Sequence, residues 1–86
     1  MNSLLKKYIN NLTIEKVNEF GVKNDIYLNN EELSFLLALI KTNIDDILVN
    51  DSKYLNIIKN KFSEENYIKI KNLFLYYKNR YKGYLF

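Results

Sequence analysis

Three pairs of adjacent carboxylates are the side chains best suited by type to acid–base work: Glu31/Glu32, Asp45/Asp46 and Glu64/Glu65. Such chemistry needs groups aimed at one reacting centre. Neighbours in a helix point about 100° apart, so each pair divides between two directions. The first and last pairs also fall where helices are predicted to begin, and negative charge there complements the helix dipole. The chain has no His and no Cys. It lacks the usual general base near neutral pH, the commonest metal ligand and a thiol nucleophile. Gly21 and Gly83 are isolated, so no glycine-rich phosphate loop can form. A calcium loop ending on Glu32 would begin at Gly21 and place Lys23 where an oxygen ligand belongs, so it fails. No catalytic, cofactor-binding or metal-binding residue is assigned, and a non-enzymatic role is expected.

Charge is distributed unevenly. Residues 1–65 carry eight lysines and ten acids, net −2, whereas Lys69, Lys71, Lys78, Arg80 and Lys82 follow with no acid, net +5. Tyr76, Tyr77, Tyr81, Tyr84 and Phe86 interleave with these bases. Basic and aromatic side chains together can hold single-stranded nucleic acid by phosphate contact and stacking. The contacts would be Lys78, Arg80, Lys82 and Tyr84. Two facts weigh against this. Only one of thirteen basic residues is arginine, and the wealth of Lys, Asn, Ile and Tyr matches AT-rich coding. Cations are also favoured near helix C-termini without any ligand. A helix-turn-helix over residues 13–41 is a poor fit, because its recognition helix would open acidic and then turn apolar.

The same segment offers a second surface. Tyr67, Ile70, Phe74, Tyr77 and Tyr81 step by three and four, a stripe expected to face the core. Ile68, Leu75 and Tyr76 point away from that stripe. They are the candidate protein interface, to be covered by another helix or another chain. The expected function is a non-catalytic helical protein-interaction module, with self-association as one form of it. The partner would be an unidentified protein or a second copy. The alternative is a weak nucleic-acid or anionic-surface binder working through the C-terminal helix.

The elements that must position these surfaces are all helical. With 86 residues and no proline, one domain is expected, ending in a basic and aromatic extension over residues 78–86. A chain this short affords one core and little excess to wrap a deep pocket. Residues 1–12 form a first amphipathic helix, with Leu5, Tyr8, Ile9 and Leu12 on one face. Thr13 caps a second, which fades around residues 21–24, where Gly21 either ends it or admits a neighbouring backbone. Ile26 and Leu28 lie in a short extended connector. Asn29 and Glu32 have capping-box spacing. Residues 30–41 form the central helix. Seven of its residues from Leu33 to Ile40 are apolar, so burial on all sides is expected, with Leu37 in the core. Residues 43–50 are read as extended or as a single turn. Residues 51–62 form a fourth helix, and Ser63 caps a fifth. The fold class is an all-α bundle of four to five short helices around residues 30–41, without a sheet. The longest apolar run, residues 35–40, is far short of the roughly 20 needed to span a bilayer. No signal-peptide core precedes it and cysteine is absent, so a cytoplasmic protein is expected.

Several short motifs resemble a small helical family of Firmicutes. They are Ile9-Asn10-Asn11-Leu12-Thr13, Phe20, Asn24-Asp25-Ile26-Tyr27-Leu28 and Glu31-Glu32, then Leu39-Ile40-Lys41, Asn43-Ile44-Asp45 and Leu73-Phe74. That family shows an IN-x-LT start, a YGI-x-LT connector, an EEA helix opening and a closing LF. The resemblance runs from about Ile9 to Tyr77, and this chain departs from it in its tail. It implies a bacterial all-helical domain and carries no activity, cofactor or site residue.

Overall fold

Cap chemistry sets the helix boundaries. In the computed structural model, which describes residues 3–85 and the side chains of residues 6–80, α1 spans Ser3–Asn10 and α2 spans Ile14–Lys23. The α1 helix ends at Asn10 rather than at residue 12, because the chain turns at Asn11 and the Asn11 amide donates back to the Lys7 carbonyl. Leu4 and Leu5 have side chains outside the described residues, while Ile9 and Leu12 are buried. At α2 the Thr13 hydroxyl accepts from the Lys16 amide, as expected of an N-cap.

The end of α2 is a complete Schellman motif. The Ile26 amide donates to the Gly21 carbonyl and the Asp25 amide to the Val22 carbonyl, at 2.8 and 3.1 Å. Asp25 takes the left-handed position, with φ 62°, a conformation that Asp tolerates better than most residues. Gly21 does not end the helix. A Cβ there would meet the Ile26 carbonyl oxygen at 3.0 Å, so glycine is present to let the connector fold back.

Helix α3 runs from Asn30 to Val49, well past the expected end at Lys41. Asn29 and Glu32 close the capping box at 2.8 and 2.9 Å. Residues 43–50 are helical rather than extended. The helix instead bends at Asn43, with φ −132° and ψ 15°. The cause is local. The Thr42 hydroxyl donates to the Ala38 carbonyl and the Asn43 amide to the Leu39 carbonyl, and such back-bonding bends helices. The bend turns Ile47 and Leu48 inward, where both are buried.

Helix α4 spans Asp51–Lys61 and α5 spans Glu64–Leu85. Ser63 caps α5 by accepting from the Asn66 amide. All regular structure among the described residues is helical, and α3 contacts α1, α2 and α4. The centrality of α3 stands, but burial on all sides does not. Leu33 and Leu36 are buried, Leu37 is half-buried and Ala38 is exposed. Phe35 stays at the edge, with its ring on Phe62 and the Lys61 ammonium over its face. The radius of gyration is 12.3 Å, close to the ~12 Å expected for a compact chain of this length. No helix among the described residues is long and apolar enough to cross a membrane.

Two substitutions test this packing. Leu33→Ala, at a residue 4% exposed, is expected to cost about 2–5 kcal/mol. Leu37→Ala is expected to cost clearly less, and equal losses in urea melts would refute the partial burial of α3. Gly21→Ala, stabilising at an ordinary mid-helix glycine, is expected here to destabilise by roughly 1 kcal/mol or more, because the new methyl meets the Ile26 carbonyl. A gain in stability would show that the connector can move aside.

Candidate functional site

Helix α5 carries every residue proposed from the sequence as a contact. It is attached to the bundle by Tyr67 and Ile70, which pack against the core of Leu36, Ile58 and Phe62, and by polar clasps. Near its start, the Asn66 amide donates to the Tyr27 carbonyl at 3.3 Å. Lys69 reaches both the carbonyl and the carboxylate of Asp25, at 2.9 and 3.3 Å. Further along, the Lys78 ammonium meets the Asp51 carboxylate at 2.8 Å, with both side chains about a quarter exposed. The Lys78 hydrogen bond holds the Asp51 carboxyl below the usual aspartate range. Between these clasps the expected core stripe is only half-buried at Tyr67, Ile70 and Phe74, and Tyr77 is exposed. The Tyr81 side chain lies outside the described residues.

Ile70, Phe74 and Tyr77 of the stripe line a half-open cleft of about 700 Å³, whereas Tyr67 packs against the core. All five helices take part. Ile9 comes from α1, Val17 from α2, Ile40 and Ile44 from α3, Leu55 from α4, and Leu73 and Phe74 from α5. The cleft is half open to solvent rather than enclosed, and among the described residues no side chain is wholly buried. The chain exposes 5909 Å², against roughly 5,400 Å² for a compact monomer of its mass. The polar side chains in the lining are Lys16, Asp51, Lys78 and three tyrosines, Tyr8, Tyr54 and Tyr77.

Tyr54 turns its hydroxyl away from the cavity into a knot at the α3 bend. It donates to the Asp46 carboxylate and lies 3.4 Å from the Asn43 side-chain oxygen. The Asn50 amide and the Lys53 ammonium also reach Asp46, at 2.6 and 3.5 Å. The Tyr54 hydrogen bond, then that of Asn50, lowers the Asp46 pKa, and the same bond to Asp46 raises that of Tyr54. The acidic pairs diverge as adjacent residues should. Glu31 binds Lys61 at 2.9 Å while Glu32 closes its cap. Asp45 faces Lys6 at 3.9 Å, away from the Asp46 knot, and Glu65 holds Lys69 at 3.2 Å. No three carboxylates converge as a metal site among the described residues.

The sequence-derived contact residues separate into two sets. Ile68 and Tyr76 are 45% and 54% exposed on the outward side of α5, and Leu75 is half-buried beside them. Tyr76 packs edge-on against Tyr77 at 5.1 Å, and Tyr77 against Phe20 of α2 at 5.8 Å. Of the basic set, Lys78 is turned inward to Asp51. Arg80 donates to the Tyr76 hydroxyl at 3.0 Å, so a member of each set is joined to the other. The side chains of Lys82 and Tyr84 lie outside the described residues. The cavity residues escaped the sequence reading, because helical periodicity marks an inward face without saying whether anything fills it.

The Lys78 pair yields a pH prediction. Asp51 has a depressed folded pKa, so its contribution to stability is complete above the ordinary aspartate pKa and is lost as pH falls through the folded value. Asp51→Asn should therefore melt below wild type at neutral pH, with the difference shrinking in acid. A constant difference between pH 7 and pH 2 would remove this pair as the clasp of α5.

No protein-family model matches this chain, and no curated protein or solved structure is significantly similar to it.

Proposed function

We propose that the protein is a non-catalytic helical interaction module that self-associates through the outward side of α5. One observation carries the reading: Ile68 and Tyr76 are both exposed on that side of a helix whose opposite side is already engaged with the bundle. The charge order of α5 favours a second copy over an unrelated partner. Glu64 and Glu65 open the helix, and Lys78 and Arg80 lie towards its end. An antiparallel pairing about Asn72 sets Ile68 of one copy opposite Tyr76 of the other. It brings Arg80 to the acidic first turn of its mate, so a two-fold contact is complementary in shape order and in charge.

The nucleic-acid reading draws on the same segment with less support. One of its four contacts, Lys78, is already engaged with Asp51. A non-enzymatic role is part of the proposal. It is supported by the mutual satisfaction of Asp51 with Lys78 and of Tyr54 with Asp46, which leaves neither pair poised for a substrate. A bacterial, cytoplasmic setting belongs to the same proposal. It rests on the Firmicutes resemblance and on a composition without cysteine.

Light scattering tests the pairing. Wild type is expected to be a dimer at high micromolar concentration, loosened by salt as charged contacts are screened. Ile68→Glu with Tyr76→Glu should give a monomer of unchanged helicity. A wild type monomeric at every concentration, or a variant that stays dimeric, defeats the proposal. Salt-steep binding of labelled single strands, lost on Arg80→Gln with Lys82→Gln, would put the nucleic-acid reading in its place.

A further inference from the structure

The outward face of α5 does not account for the space on its inward side. Protein interiors are close-packed and hold few voids larger than a water molecule. A half-open cleft of about 700 Å³ is large for an 86-residue chain, and its volume lies within the range of ligand sites, about 300–1,000 Å³. Its walls are mainly aliphatic and aromatic, and Tyr54 spends its hydroxyl on Asp46.

The charges of the lining point to the kind of guest. Two lysines contribute, Lys16 of α2 and Lys78 of α5. Lys78 is neutralised by Asp51, which also lines the cavity. The Lys16 ammonium has no ion-pair partner among the described residues. A mainly apolar cleft with an exposed lysine outside any ion pair at its edge complements a molecule with an apolar body and one negative charge.

We propose that the interhelical cavity binds a single-chain anionic amphiphile of the fatty-acid class, with its hydrocarbon chain between α5 and the other helices and its carboxylate at Lys16. The site is separate from the Ile68 and Tyr76 face, so either proposal can fail without the other. The hydrocarbon chain meets Val17, Ile40, Ile44, Leu55, Leu73 and Phe74. The clasps of α5, Lys69 on Asp25 and Lys78 on Asp51, are solvent-accessible ion pairs, which are individually weak. Entry therefore needs only a local opening of α5, without loss of the α3 core at Leu33 and Leu36.

Calorimetric titration with C8, C10, C12 and C14 carboxylates, each below its micellar concentration, tests the site. One molecule per chain is expected to bind. Affinity should rise about fourfold per added methylene until the cavity is full, and then level off. The C12 alcohol should bind several-fold more weakly than the C12 carboxylate, and Lys16→Gln should erase that difference while leaving the alcohol's affinity unchanged. Val17→Phe and Ile44→Phe each fill part of the cavity from a different helix. Whichever of them keeps the helical signal should lose the longer chains first. Absence of 1:1 binding by any carboxylate in wild type overturns the proposal, as does an affinity indifferent to chain length. A Lys16→Gln protein that still prefers carboxylate to alcohol removes the assigned head-group contact. Ile68→Glu with Tyr76→Glu should bind the C12 carboxylate as wild type does, and loss of binding there would place the site on the dimer surface instead.

Discussion

Helix α5 meets the bundle through ion pairs and through Tyr67 and Ile70, which pack against the core of Leu36, Ile58 and Phe62, while Leu73 and Phe74 line the cleft. Lys69 reaches α2's C-terminal turn and Lys78 reaches the first turn of α4, while Tyr77 rests on Phe20. Contacts of this kind fix where a helix lies and contribute little stability each. The rest of the molecule is arranged around that condition. Among the described residues, six of the ten buried hydrophobic ones, Leu33, Leu36, Ile47, Leu48, Tyr54 and Ile58, belong to α3 and α4, so that hairpin holds most of the core, with the other helices laid against it. The last helix carries the proposed pairing face and one wall of the cleft.

The hairpin depends on one polar cluster at the bend of α3. Asn43, Asp46, Asn50, Lys53 and Tyr54 join the bend of α3 to α4 through hydrogen bonds shared at the Asp46 carboxylate. A straight α3 would carry Ile47 and Leu48 elsewhere. The bend needs Asn43 and Thr42 to bond back to their own helix, and Tyr54 then ties the bent part to the helix that follows. Burial of a tyrosine only 5% exposed is tolerated because its hydroxyl has a charged partner.

Local chemistry was legible in the sequence where one residue acts on its near neighbours. Thr13, Asn29 with Glu32, and Ser63 all cap the helices they were assigned, since capping is decided within four residues. The all-helical class followed from apolar spacing and from the lack of proline. Residues 43–50 were illegible for the converse reason. Asp45 and Asp46 dilute the apolar pattern, and the partner that explains Asp46, Tyr54, is eight residues away and across a turn. Lys78 was misplaced likewise: a lysine in a basic tail looks solvated, and only the position of Asp51 turns it inward. The Ile68 and Tyr76 exposure could be read, because both lie off the α5 stripe.

The cavity could not be read at all, and the reason is general. Periodicity reports which side of a helix is apolar, whereas packing density depends on the distance between helices. In this chain the Asp25–Lys69 and Asp51–Lys78 ion pairs act on that distance together with the packing of Tyr67 and Ile70 on the core. Lining atoms that face a void forgo the dispersion contacts a filled core would give them, so a domain already of small size carries an added cost in its folded state. Anything that fills the space and binds only the folded chain shifts the folding equilibrium by mass action. Tyr67 and Ile70 seat α5 on the core while the ion pairs fix its course, and the cleft beside Leu73 and Phe74 leaves room for an occupant.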